Sequence, residues 1–411
     1  MTSTVSATRT QALRLLQDFV PQAGRAYAAS RNFDRPDGGH ANVSRLSPYL
    51  RHRLITETEV LQAVLGRHSA ASAGKFIQEV YWRTYWKGWL ELRPGVWGAY
   101  RRDLDAALAR LRRDPALAEA LRRAEAGETG IEAFDAWATE LTRSGYLSNH
   151  ARMWTASIWI FTLRLPWALG ADWFMRHLLD GDPASNTLSW RWVAGLQTRG
   201  KAYVARASNI GRYTDGRFDP AGQLNEAPEP LAGPAPPAPR AAPEGDMPAP
   251  GLRTGMLLTE EDLSPRFVLE RLDAPPVAHA TLCSVDRRSP SAVSEKVTRF
   301  TTAAIAEARG RWADRLGEAG PEADRPEAIR DWAVAQGLEQ VVTPYTPVGP
   351  AASALRELGR LLEAEGIALA LVLRDEDRAA WPFATHGFFR FKERIPELLT
   401  DAVNSVDRSR M

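Results

Sequence analysis

Apolar residues recur at three- and four-residue intervals through most of residues 1–225, interrupted at glycines and prolines and restarted by signals such as Ser47-Pro48. That period belongs to helices with one buried face, so residues 1–225 are predicted to form an all-α unit. The pattern stops at Glu226. From there to Pro250 the chain holds nine prolines and many alanines, and fixed φ angles with missing N–H donors predict an extended linker over 226–250. Beyond it the period changes. Ala278–Val285, Gln340–Thr343 and Ala368–Leu373 read as short strands alternating with helical runs at Ser291–Leu316, Pro326–Gln336 and Pro350–Glu365. This alternation predicts a small α/β unit with parallel strands over residues 251–411. The expected fold is mainly α: an all-helical unit, a Pro-rich linker and a small α/β unit.

Composition narrows the class. The 411 residues are 44% hydrophobic and 25% charged, which fits a globular chain and not a disordered or membrane-embedded one. The longest uncharged apolar stretch, Trp154–Leu163, ends at Arg164, short of the roughly 20 residues a spanning helix needs. Met1–Arg14 lacks an apolar signal core, and the single Cys283 has no partner for a disulfide. A cytoplasmic location without membrane contact follows as the expectation. Seven histidines without close paired spacing give no sequence signal for a metal site, and none is expected.

Charge is unevenly divided. Residues 1–225 hold 30 lysines and arginines against 21 aspartates and glutamates, a net +9, whereas residues 226–411 carry −7. Eleven of the 14 tryptophans also precede residue 226. Indoles beside arginines on a basic unit suit nucleobases or a flat cofactor, although a Trp-rich helical core explains the composition equally well.

Three segments carry the chemistry. Val43 to Leu50 gathers Ser44, Arg45, Leu46 and Ser47 at a predicted helix start, where hydroxyls and free N–H groups favour phosphate. In Phe76–Trp86, Glu79, Trp82, Arg83 and Trp86 share one helical face at i, i+3, i+4 and i+7, placing acid, cation and indole where an ordinary helix puts apolar residues. In Gly145–Gly195, Arg152, Asp180 and Asp182 lie among Trp, Phe, Leu and Met. Buried charges persist when paired or when a polar ligand satisfies them.

These segments, in this order, resemble the flavin-binding half of the photolyase and cryptochrome family, above all through Leu179-Asp180-Gly181-Asp182-Pro183-Ala184-Ser185-Asn186 and Trp190-Arg191-Trp192. The likeness covers most of residues 25–215. It implies an FAD cofactor in an all-helical domain, held by Tyr27, Ser44, Leu46, Ser47, Arg83, Arg152, Asp180, Asp182 and Asn186. Val43 stands where the family has a threonine, which puts one phosphate hydrogen bond in doubt. Glu79, Trp82, Asn149, Met153 and Trp192 match the positions that contact a cyclobutane pyrimidine dimer, a lesion that photolyases flip out of the duplex. Histidines that mark repair of (6-4) photoproducts are absent at Asn149 and Met153. Trp190 and Trp167 match the first two members of the family's electron-transfer chain; the third is missing, with Trp89, Trp97, Trp154, Trp159 or Tyr100 as substitutes.

The resemblance thus implies a light-driven lyase that splits dimers by electron transfer from reduced FAD, with DNA containing pyrimidine dimers as partner and Arg31, Arg45 and Arg191 as backbone contacts. Ser148-Asn149 and Asp182-Pro183 also resemble the DASH cryptochromes. A blue-light sensor that binds FAD without repairing DNA is the alternative; a nucleic-acid-binding protein with a vestigial flavin site is a third reading. Family members begin with an α/β antenna domain, so residues 251–411, particularly Leu338–Leu399, are expected to be a shortened antenna-type unit in permuted order.

Overall fold

The structure, a computed structural model, describes residues 5–400. The outer ends of the two assigned units, residues 1–4 and 401–411, lie outside the described residues. Up to Tyr213 the regular elements are helices, and their starts follow from local chemistry. Thr56 and Glu59 form a reciprocal capping box that opens Glu57–Leu65, satisfying two N–H groups that would otherwise lack partners. Asp114 caps Pro115–Ala126, Ser148 caps Asn149–Ser157, and Asp182 caps Pro183–Val193. Ile158–Thr162 continues the Asn149 helix as a wider π turn. Trp137, Trp154, Trp159, Trp173 and Trp190 are fully enclosed here. No helix among the described residues is long and apolar enough to cross a membrane.

The C-terminal region is a five-stranded parallel sheet: β1 Thr254–Thr259, β2 Ala278–Leu282, β3 Glu318–Ala323, β4 Gln340–Pro344 and β5 Ala368–Val372. The order is β3-β2-β1-β4-β5, so the winding reverses beside β1. Helices Glu295–Leu316, Pro326–Ala335 and Pro350–Ala364 cross between strands. β1, β2 and β4 are buried along their whole length, which accounts for their near-continuous apolar runs. β1 and β3 were not anticipated by the hydrophobic pattern. β3, with the sequence Glu-Ala-Gly-Pro-Glu-Ala, has no buried residue and is a strand because the open edge of β2 supplies its hydrogen bonds.

In open α/β sheets ligands usually occupy the crevice beyond the strand C-termini, near the point where the order reverses. Here the helical unit fills it. Glu261, just after β1, makes two 2.6 Å hydrogen bonds with the Arg51 guanidinium. Arg53 donates to Asp262 at 3.2 Å and to Asp377 at 2.7 and 2.9 Å, and Arg374 donates to Asp262 at 2.6 and 2.8 Å. His52 Nδ1 lies 2.6 Å from the Glu260 carbonyl. All these side chains are buried.

Residues 226–250 have no helix or strand, as their prolines predict. They are nonetheless fastened at both ends. Leu231 N donates to the Ala194 carbonyl, Arg240 N to Leu92, and Arg93 to Pro237. On the sheet side Asp246 N donates to the Leu371 carbonyl, Leu371 N donates back to the Asp246 carboxylate, and Gln340 donates to Ala249. The free tether suggested by composition is a docked strap.

Candidate flavin site

The Gly74–Glu91 helix places Glu79, Trp82, Arg83 and Trp86 on one half-buried stripe, flanked by buried Val80, Tyr81, Thr84 and Tyr85. Arg83 reaches the Ser47 carbonyl at 3.4 Å. Ser47 itself opens a five-residue helix, Ser47–Arg51. Before it the backbone turns through Arg45, at φ 54°, and Ser44 Oγ accepts from Leu46 N at 3.4 Å. The helix start expected at Ser47-Pro48 is where the structure has it. Leu46 and Tyr27 are buried, Tyr27 edge-on to Phe19 and Phe76.

Opposite this turn, the loop after Trp167–His177 presents Asp180 and Asp182. Arg152 Nη2 bonds Asp180 Oδ2 at 2.9 Å. Burial opposes charge on Asp180, but Arg152, the Ser47 hydroxyl and Arg83 outweigh it and hold the carboxyl below its usual range. Asp182 Oδ1 accepts from Ser185 N at 2.8 Å, while Oδ2 lies 3.7 Å from Lys87 Nζ and 4.0 Å from Arg51. Burial again opposes ionisation, and Lys87, Arg51 and Arg83 reverse it. Ser47, Arg83, Arg152, Asp180 and Asp182 therefore form one electrostatic cluster, the two aspartates buried and the other three half-buried. Sequence reasoning missed Lys87 and Arg51; both lie on the correct helices, but their charge gave no sign of facing inward.

The residues present fit a polar prosthetic group. Arg83 Nη1 and Asp180 Oδ1 are buried without a hydrogen-bond partner, one donor and one acceptor on either side of the cluster. Asn186 is buried and donates through Nδ2 to the Ala171 carbonyl at 2.8 Å, which fixes the amide orientation. Trp190 is 2% exposed, packed against Phe174 at 5.0 Å and Trp159 at 6.1 Å between ring centroids. Trp167 lies instead 5.7 Å from Tyr100, whose ring is 5.1 Å from Trp97. Trp159 stacks on Trp173 at 5.4 Å.

The residues expected to meet a lesion are more accessible. Asn149 is exposed, and Glu79, Trp82, Met153 and Trp192 are half-buried. Several are engaged within the chain. Arg31 forms a close ion pair with Glu79, and Trp192 stacks on Tyr203. Trp82 is covered by Phe388, from the short helix Phe388–Lys392, with centroids 3.7 Å apart and planes 12° apart. Among the expected DNA contacts Arg45 is exposed and Arg31 half-buried, whereas Arg191 is buried with its guanidinium 6.0 Å from the Trp167 ring. Its place inside the helical unit removes Arg191 from the surface available to a phosphate backbone.

Comparison with known proteins adds to this geometry. The family model for the FAD binding domain of DNA photolyase matches residues 76–226. The chain is similar to the deoxyribodipyrimidine photo-lyase of Streptomyces griseus, 35% identical over 158 residues that cover 38% of this chain and 33% of that protein. It is also similar to the enzyme of that name from Halobacterium salinarum, 32% identical over 224 residues, 51% of this chain and 44% of the relative. Among solved structures, a bacterial class III photolyase from Agrobacterium tumefaciens aligns over 50% of this chain and 42% of its own, at 26% identity and a TM-score of 0.38. The matched part is a third to less than half of the length of these relatives.

Proposed function

We propose that the protein is a light-driven lyase that splits cyclobutane pyrimidine dimers in DNA, a reading supported by the match of residues 76–226 to the FAD binding domain of DNA photolyase. The observation that carries this reading is the half-buried cluster around the 2.9 Å Arg152–Asp180 pair, with the enclosed atoms Arg83 Nη1 and Asp180 Oδ1 left unpartnered. Reduced FAD, when bound, supplies the photoexcited electron. The chain's residues set its surroundings. Arg83 and Arg152 offer donors, Asp180 and Asp182 remain ionised, and Asn186 presents an amide fixed by its bond to Ala171. Around Trp190, Phe174, Trp159 and Gly170 exclude water.

On the exposed side, Trp82 and Trp192 supply ring faces for extruded bases; such stacking contributes about 1–3 kcal/mol per base. Burial raises the Glu79 carboxyl above its ordinary range, against the pull of Arg31 and Lys75. A protonated Glu79 can donate to a pyrimidine carbonyl once Arg31 turns away. Asn149 supplies a second edge contact and Met153 an apolar one. Arg45, with the net positive charge of the helical unit, is the backbone contact, so affinity falls steeply with salt. The α/β unit is read as a permuted antenna-type domain, its crevice occupied by the chain's own ion pairs.

One observation favours the second reading, a blue-light sensor without repair: Phe388 on Trp82 and Arg31 on Glu79 occupy two of the five lesion contacts. The deciding experiment illuminates the flavin-loaded, reduced protein with dimer-containing oligonucleotides, single- and double-stranded, and follows restored pyrimidine absorbance. Restoration supports the lyase. Bound, photoreducible flavin with no restoration supports the sensor.

A further inference from the structure

A second polar cluster lies behind the Asn149–Ser157 helix. Asp34, His40 and Glu140 offer ligand atoms that all lie within 4.8 Å of one another. Glu140 Oε1 is 2.7 Å from His40 Nε2, so in the neutral ring the proton sits on Nε2 and the lone pair on Nδ1. That Nδ1 has no hydrogen-bond partner although the His40 side chain is only 6% exposed. It faces Asp34 Oδ1 at 3.9 Å. With the ring neutral, two acceptors face each other inside the protein, too far apart for a hydrogen bond. Two bonds of about 2.0–2.2 Å to a shared cation span that separation.

The rest of the cluster is arranged as support for such a cation. Asp34 Oδ2 is held by Trp137 Nε1 at 3.0 Å and by Arg217 at 2.6 Å. Oδ1 takes one hydrogen bond, from the Ser148 hydroxyl at 2.7 Å, and keeps a lone pair. Carboxylates that bind metal through one oxygen are commonly anchored by donors in this way, and a carboxylate behind the histidine fixes its tautomer. Among the described residues, Arg217 is the arginine or lysine within ion-pair distance of Asp34. A cavity of about 700 Å³, lined in part by Glu140, Trp137 and Arg217, adjoins the cluster and gives water and ions a path to it.

We propose that Asp34 Oδ1 and His40 Nδ1, with Glu140 behind the histidine holding its tautomer, bind one divalent transition-metal cation of the zinc class. This runs against the absence of any metal signal in the sequence, because the residues stand at positions 34, 40 and 140 with no motif joining them. The site is structural. Ser148, which donates to Asp34, also accepts from Ala151 N and starts the helix that begins with Asn149, so an occupied site stiffens the wall from which Asn149 projects.

The test uses full-length protein stripped with a chelator and titrated with zinc chloride alone, by calorimetry and thermal unfolding. One zinc per chain is expected, with a rise in the unfolding midpoint. Glu140→Gln keeps the shape of the side chain and should weaken binding by about 10–100-fold; His40→Ala should weaken it at least as much. His386→Ala, at an exposed site, should bind as the unaltered protein does. Cobalt(II) should give the visible bands of a low-symmetry nitrogen–oxygen site. Failure of the unaltered protein to bind stoichiometrically, or binding by Glu140→Gln and His40→Ala as tight as that of the unaltered protein, overturns the proposal. Neither result bears on the flavin, since the measurement needs none.

Discussion

Glu261→Gln tests whether the two halves stabilise each other through buried charge. The Arg51–Glu261 pair has two 2.6 Å contacts and side chains 1% and 4% exposed. Removing the carboxylate charge leaves Arg51 ionised in the interior, because its remaining acceptors are the Gly181 carbonyl at 2.9 Å and Asp182 at 4.0 Å. Breaking such a pair costs about 3–5 kcal/mol. The amide retains part of the hydrogen bonding and Asp182 compensates part of the charge, which places the loss near the lower end, about 3 kcal/mol. For a unit of 150–250 residues this lowers the unfolding midpoint by about 6–12 °C. The double variant Arg51→Met with Glu261→Leu removes both charges and should lose at least about 2 kcal/mol less than the two single losses added together. Urea unfolding followed by circular dichroism on the unaltered protein, Glu261→Gln, the single variants Arg51→Met and Glu261→Leu, and the double variant reads these terms. A Glu261→Gln loss under about 1 kcal/mol, or strict additivity in the double variant, would show that the interface does not depend on this pair.

Other perturbations address separate links. A Cβ on Gly170 would lie 2.3 Å from Trp190 Cη2 and 2.9 Å from Trp159 Cε2, so Gly170→Ala should cost about 1–3 kcal/mol or more through overpacking; an unchanged thermal midpoint would contradict the packing. His177 is pushed down to about 4 by burial and by Arg176 and Lys296, and burial also lowers His52 and His150. The unfolded chain therefore takes up protons first, near pH 6.5, and stability should fall as the pH drops from about 6.5 towards 4. Urea midpoints that stay level between pH 7 and 4.5 would refute that sign. Phe388→Leu removes the ring that covers Trp82 while keeping much of the bulk, and should tighten binding of a dimer-containing oligonucleotide; unaltered affinity would mean that Trp82 is not a base platform.

The helical half was legible because its chemistry is local. The stripe of Glu79, Trp82, Arg83 and Trp86 follows from helical spacing alone, and Asp182 announces the helix it caps through the proline that follows. β2, β4 and β5 were readable from short apolar runs. β3 was not, since Glu, Gly and Pro form a strand there only against an existing edge. Long-range pairing was equally opaque: nothing near Arg51 in the sequence points to Glu261, and nothing near Trp82 points to Phe388. Arg191 illustrates the opposite error, a cation beside two indoles that reads as a surface contact yet packs inward on Trp167.

The docked segment 226–250 has a bearing on how such a chain can be built. Because Leu231, Pro237 and Arg240 are bonded to the helices, and Asp246 and Ala249 to the sheet, continuity between Pro234 and Pro236 contributes little to the fit of the pieces. Two polypeptides divided there retain every contact that joins them and can reassemble when mixed. Gene order is then free to vary: the covalent path between the halves can be rerouted without redesigning the surfaces that meet.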